Sequence, residues 1–163
     1  MSISTLRGGA ALGLAALLAL LAQPALAAGQ VSGKYIGNGK AAKLAYAVVV
    51  PHEPWDNEPA YTLILSEKDP ASAEKPDFDA LFGKLGDALV VTVTKSGQVI
   101  GTQVCHQSLK KAGFSSSGTL QAEGLKLDGK TLSGRFFTKQ QEEFFGDTWE
   151  VDLTVKAALP PGK

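Results

Sequence analysis

The chain has 163 residues, with 16 basic and 16 acidic side chains, two histidines, one cysteine and a formal charge of zero. Nucleic-acid binders carry a basic stripe and a high isoelectric point, and internal disulfides need at least two cysteines. Neither feature is present, so no nucleic-acid partner and no internal disulfide scaffold are expected.

Residues 1–27 have the layout of a cleavable secretory signal. Arg7 precedes an apolar run from Gly8 to Ala22, followed by Gln23, Pro24 and the tripeptide Ala25-Leu26-Ala27, the pattern that signal peptidase accepts. A membrane span needs about 20 apolar residues, more than this run supplies before its proline. Cleavage after Ala27 is expected, giving an exported protein, periplasmic or extracellular, in which residues 28–163 form a single β domain. No later run is long and apolar enough to predict a transmembrane segment in the mature chain. Removing Arg7 leaves 15 basic against 16 acidic side chains, with both signs scattered.

Two β-type runs, Val31–Ile36 and Lys43–Val50, flank Asn38-Gly39, a strong hairpin signal because both residues tolerate positive φ. In the second run Leu44, Tyr46, Val48 and Val50 face one way and Ala45, Ala47 and Val49 the other. Both faces are apolar, so both need cover. The segment Pro51–Pro59 reads as a stiff, charged loop. It holds His52, Glu53, Asp56 and Glu58 beside Trp55, the densest set of potential ligands in the chain. A metal site needs such groups to converge, and His52, Glu53 and Asp56 are its candidates here, although their spacing fits no metal motif. The plainer reading is a solvated loop held by three prolines.

Tyr61–Glu67 alternates as a strand should. Pro76 and Asp77 then introduce Phe78, Leu81, Phe82 and Leu85 at spacings of three and four. That spacing predicts a short amphipathic helix burying all four, capped by Asp77 and ended by Gly86. Ala88–Thr94 and Val99–Gln107 flank Lys95-Ser96-Gly97-Gln98 as a hairpin. Gly118–Leu127, Thr131–Thr138 and Thr148–Ala157 complete the strands, with a loop at Lys139–Asp147. The fold class expected is all-β: an antiparallel meander of about eight strands, closed as a barrel or folded as a two-sheet sandwich, with one helix.

Cys105 and His106 are strand neighbours, which point to opposite faces and so cannot pair as nucleophile and base. An exposed Cys105 would allow a disulfide-linked dimer; a buried one would act as a small apolar side chain. His106 reads as an edge-of-core histidine. In a meander, consecutive loops alternate between ends, which separates His52 from His106 and argues against a shared site. The same alternation gathers Lys110, Lys111, Phe114, Glu142, Glu143, Phe144 and Phe145 at one end. Of these, Lys110, Lys111, Phe114, Phe144 and Phe145 are the candidate ligand-binding residues, rimming a pocket; alternatively the phenylalanines anchor a loop to the core.

There is no nucleophile elbow, phosphate loop or dinucleotide fingerprint, so no cofactor is expected. The expected function is a non-catalytic binding protein for a small, partly apolar ligand or a protein partner. The alternative is a metal-binding protein or metal-dependent enzyme centred on the His52 loop.

Overall fold

The computed structural model describes residues 29–161, so the expected signal at 1–27 lies outside the described residues. Among the described residues eleven strands form two antiparallel sheets. The first contains β1 (Gln30–Gly37), β2 (Lys40–Ala42), β8 (Leu120–Leu127), β9 (Thr131–Thr138), β10 (Glu142–Phe144) and β11 (Asp147–Ala158), in the order β2-β1-β11-β9-β8 with β10 also on β11. The second is β3 (Tyr46–Trp55), β4 (Glu58–Ser66), β5 (Ala88–Thr94), β6 (Val99–Cys105) and β7 (Phe114–Ser115), in chain order. Neither sheet closes into a barrel, and the arrangement fits a two-sheet sandwich.

The expected single meander is replaced by two crossings. Asn38-Gly39 does form a turn with both φ positive, at 47° and 74°. Its hairpin, however, spans only three residue pairs before the chain crosses to the second sheet. The run Lys43–Val50 is therefore not the hairpin's second strand: β2 ends at Ala42 and β3 begins a new sheet. At the far end β11 returns to pair with β1 along Gln30–Gly37. Its clean alternation buries Trp149, Val151, Leu153 and Val155 against Leu63, Leu65, Leu89 and Val91 of the second sheet. Each such side chain contributes about 1.5–3 kcal/mol by leaving water. Tyr35 joins the sheets, its hydroxyl donating to the Ala88 carbonyl at 3.1 Å. Burial, and then the nearby Cys105 and Asp87, push its pKa well above the usual value.

Pro51–Pro59 is not a loop. β3 runs through Trp55 and β4 starts at Glu58, joined by Asp56 and Asn57 at φ 49° and 63°. Pro51 and Pro54 are tolerated because β3 is an edge strand, where a missing N–H costs no ladder bond.

The helix is shorter than its periodicity suggests. α1 is Pro76–Leu81, with Lys75 rather than Asp77 at the N-cap and Pro76 in the first turn. Gly83, at φ 70°, ends it: Gly83 N–H donates to Ala80 O at 3.1 Å and Lys84 N–H to Asp79 O at 3.0 Å, a Schellman closure. The chain then doubles back, so Leu85 is buried while Phe78 and Phe82 stay 50% and 66% exposed, ring against ring at 4.5 Å. α1 sits on the outer face of the second sheet, where Ala80 and Leu85 cluster with Ile64, Ala88, Val90 and Cys105, and Val48 and Val50 pack at the margin. That is the second cover the apolar β3 requires.

Candidate functional site

A helix of six residues is about 9 Å long at 1.5 Å per residue. The nine residues of β4 beneath it run about 30 Å at 3.3 Å each. α1 therefore covers one part of the second sheet's outer face and leaves the rest open. Pairing register places His52, Thr62, Thr92, Gly101 and Gln103 on that face, on neighbouring strands. With Ser115 and Ser117 they floor a groove of about 310 Å³, walled by Asp77 and Leu81 of α1 and lined also by Val90, Ile100 and Thr102. An irregularity between Thr92 and Val93 lets β6 carry one extra residue, Ile100, at this point.

The floor has spare hydrogen-bonding capacity. The Thr62 and Thr92 hydroxyls meet each other at 3.4 Å, and His52 donates through Nδ1 to the Glu53 carbonyl at 2.8 Å, a bond that does not occupy Nε2. Gly101 keeps the floor low: a Cβ there would lie 3.6 Å from Thr92, in ordinary contact. Among the described residues no lysine or arginine lines the groove, and Asp77 is the one acidic side chain that does.

This groove is the feature that reading the strands one by one misses. The signal is nonetheless present as a set of Thr, Gly and Gln at alternate positions opposite the largely apolar face of β4, β5 and β6. It becomes a site only once α1 is known to be too short to cover it.

The residues expected to rim a pocket are brought together. Phe114 stacks on Phe144 at 4.2 Å and 9°, Phe144 meets Phe145 edge-on at 4.6 Å, and Phe114 meets Trp149 at 6.3 Å. Lys111 Nζ lies 4.5 Å over the Phe145 ring. The backbone amides of Lys110 and Lys111 donate to Asp147 Oδ2 at 2.8 and 3.3 Å, and the Asn38 amide donates to Oδ1 at 2.8 Å. The Asn38 bond and then those two amides hold the Asp147 carboxyl below its usual range. Phe114 and Phe144 are thus turned onto each other and Trp149, the loop-anchoring arrangement. Phe145 alone points out, 74% exposed and at φ 50° in the β10–β11 turn.

The metal candidates are not brought together. His52 and Glu53 are successive residues of β3, and Asp56 occupies the turn. Among the described residues no three His, Cys, Asp or Glu side chains converge as a metal site requires. His52 and His106 lie at opposite ends: His52 pairs with Ala60, which pairs with Thr94, whereas Cys105 pairs with Ala88 at the other end of β5, about 20 Å away.

Cys105 is 3% exposed beneath α1, and burial pushes its thiol up to about 12. The exposed thiol that a disulfide-linked dimer needs is therefore not at the surface. His106 lies in the core, its ring 5.0 Å from Tyr35 and so close to β1 that a Cβ on Gly37 would meet it at 2.6 Å. Ser108 Oγ at 2.8 Å and Asp87 at 3.6 Å approach the same ring nitrogen, Nδ1, and the Ser108 hydroxyl donates to the Gly37 carbonyl at 2.6 Å. A serine–histidine–acid relay needs the two partners on different ring nitrogens, so His106 and Ser108 instead hold the loop after β6 against β1, with Asp87 accepting from the Gln107 amide of the same loop.

No helix among the described residues is long and apolar enough to cross a membrane. No family model, curated protein or solved structure matches the chain.

Proposed function

We propose that the chain is an exported, non-catalytic binding protein that seats a small ligand in the groove on the outer face of β3–β7. The observation that carries this reading is the part of that face left open by the six-residue α1, a concave floor of hydroxyl, amide and imidazole groups. Its volume is at the lower end of the range for ligand sites, about 300–1,000 Å³. Export rests on the sequence pattern of residues 1–27.

Gly101→Val tests the site by filling it, because the added carbons extend over the floor from a position where Cβ itself fits. Native mass spectrometry of protein from its own exported fraction is expected to show a ligand mass in the wild type and none in the folded variant. A retained mass in Gly101→Val removes the groove as the seat.

The exposed Phe145 favours a second reading, in which a partner is held at the aromatic end. A bulky side chain at positive φ costs of order 1 kcal/mol, here to hold out a ring that Lys111 covers on one face. Replacing Phe144 and Phe145 by Ala separates the two readings: lost binding with an intact Gly101 assigns the ligand to that end.

A further inference from the structure

We infer that the ligand is a neutral oligosaccharide, a proposal that rests on the groove being the binding site and names its occupant. The groove presents hydroxyl and amide groups on adjacent strands, which lie about 4.8 Å apart. Thr62 on β4 pairs with Thr92 on β5, and Gln103 stands on β6 two residues along from Gly101, the partner of Thr92. Each hydroxyl both donates and accepts, and the Gln103 amide offers both at once. A chain of sugar rings carries the matching array, hydroxyl groups at similar spacing that also donate and accept.

Charge narrows the class. An anionic ligand such as a phosphate or a uronic acid calls for arginine or lysine, and the described lining has neither, while Asp77 repels it. A strongly apolar ligand is disfavoured for the opposite reason, since it would strip water from these polar groups without replacing their hydrogen bonds. The open shape suits part of an extended chain.

A second feature, independent of the floor, lies on the same hairpin. Trp55 is three residues beyond His52, opposite Glu58, and is 53% exposed. Glu58 has the same strand parity as Ala60 and Thr62, so its partner Trp55 belongs to the groove's side of the sheet. An exposed indole offers a flat apolar surface with a donor at its edge, and the C–H face of a pyranose ring is the complementary surface. The positive-φ turn at Asp56 and Asn57 holds it at the tip of the hairpin.

The test uses cellohexaose, maltohexaose and chitohexaose as probes, with hexagalacturonate as the charged control and a mixed peptide library as the other class of chain. Amide chemical shifts of the purified protein are followed up to about 10 mM probe, high enough to register weak binding. At least one neutral hexasaccharide is expected to shift Thr62, Thr92, Gly101 and Gln103 together. Gln103→Leu should then weaken it about tenfold, Trp55→Ala should weaken it as well, and Phe145→Ala should leave it unchanged. The inference is overturned if only hexagalacturonate or peptides shift those residues, a result that keeps the groove but changes its occupant. If no probe moves them while the exported protein still carries a mass that Gly101→Val loses, the oligosaccharide is again ruled out and the groove stands. If Gly101→Val keeps its mass, the groove reading itself fails.

Discussion

The outer faces of the two sheets are built by the same alternation of side chains and are opposite in kind. On the first sheet, Lys34 meets Glu150 at 3.3 Å, and Arg135 meets Asp152 through two nitrogens at 2.8 and 3.0 Å and Glu123 at 2.9 Å, with its guanidinium 4.6 Å from the Phe137 ring. The Arg135 bonds hold Asp152 below its usual carboxylate range, and the two carboxylates raise Arg135. Each of these charges is answered by a neighbour on its own or an adjacent strand. On the second sheet, the outward positions carry apolar side chains under α1 and, along the groove beyond it, the uncharged polar ones Thr62, Thr92 and Gln103, with Glu58 and Trp55 toward the hairpin tip. A face whose polar groups satisfy one another has little left to offer a ligand; a face of hydroxyls and amides with spare donors and acceptors does.

The largest effect is expected where the second sheet is covered. Ile64 is fully buried beneath α1, so Ile64→Ala should cost about 2–5 kcal/mol in urea unfolding. A cost below about 1 kcal/mol would mean that α1 is not seated there, and the division into covered and open parts would collapse.

Acid should act next, and through the charged face more than the open one. Asp152 and Asp147 both lie below the ordinary value of 3.8 when folded. A carboxyl with a lowered folded pKa binds its proton more weakly in the native state. Its contribution is therefore complete above the unfolded pKa and is lost as pH falls from about 4 through the folded value. Urea midpoints should hold steady down to about pH 4 and then drop. Asp152→Asn should flatten part of that drop, and an identical slope in the variant would show that the Arg135 pairing contributes nothing in solution. The alanine variant of Arg135 should show a smaller effect still, a slight fall in Tm. That fall should vanish in about 1 M NaCl, where the screening length is about 3 Å. A deficit that survives salt would point to lost packing on Phe137 instead.

How much of this was legible depends on the range of the interaction. Strand identity in β5 and β11 follows from periodicity alone, because their core-facing residues alternate without interruption. The Asn38-Gly39 turn is equally local. What periodicity misjudged was set at a distance. The apolar spacing of Phe78, Leu81, Phe82 and Leu85 fits a longer helix, but a left-handed Gly83 stops it and sends two rings outward. Pro51–Pro59 looks like a loop until β3 is known to be an edge strand, and Asp56-Asn57 supplies a tight turn without glycine. The gathering of Lys111, Phe114, Phe144 and Phe145 was legible because it needs only loops at a common end. The groove was not, because it depends on which part of a sheet a helix fails to reach.

The smallest effect on stability, and the sharpest test of the open face, comes from Thr92. Its hydroxyl lies on the groove floor with one weak partner, Thr62 at 3.4 Å, and valine keeps its branched shape and its preference for strands. Thr92→Val should therefore change stability by no more than about 0.5 kcal/mol. Ligand affinity should fall about five- to tenfold, the usual worth of one hydrogen bond. A large loss of stability would show that the hydroxyl serves the fold, which would place the open face with the charged one as a self-satisfied surface. Unchanged affinity in a stable variant would show that the ligand does not reach the middle of the floor, and attention would move along the strands toward His52 and Trp55.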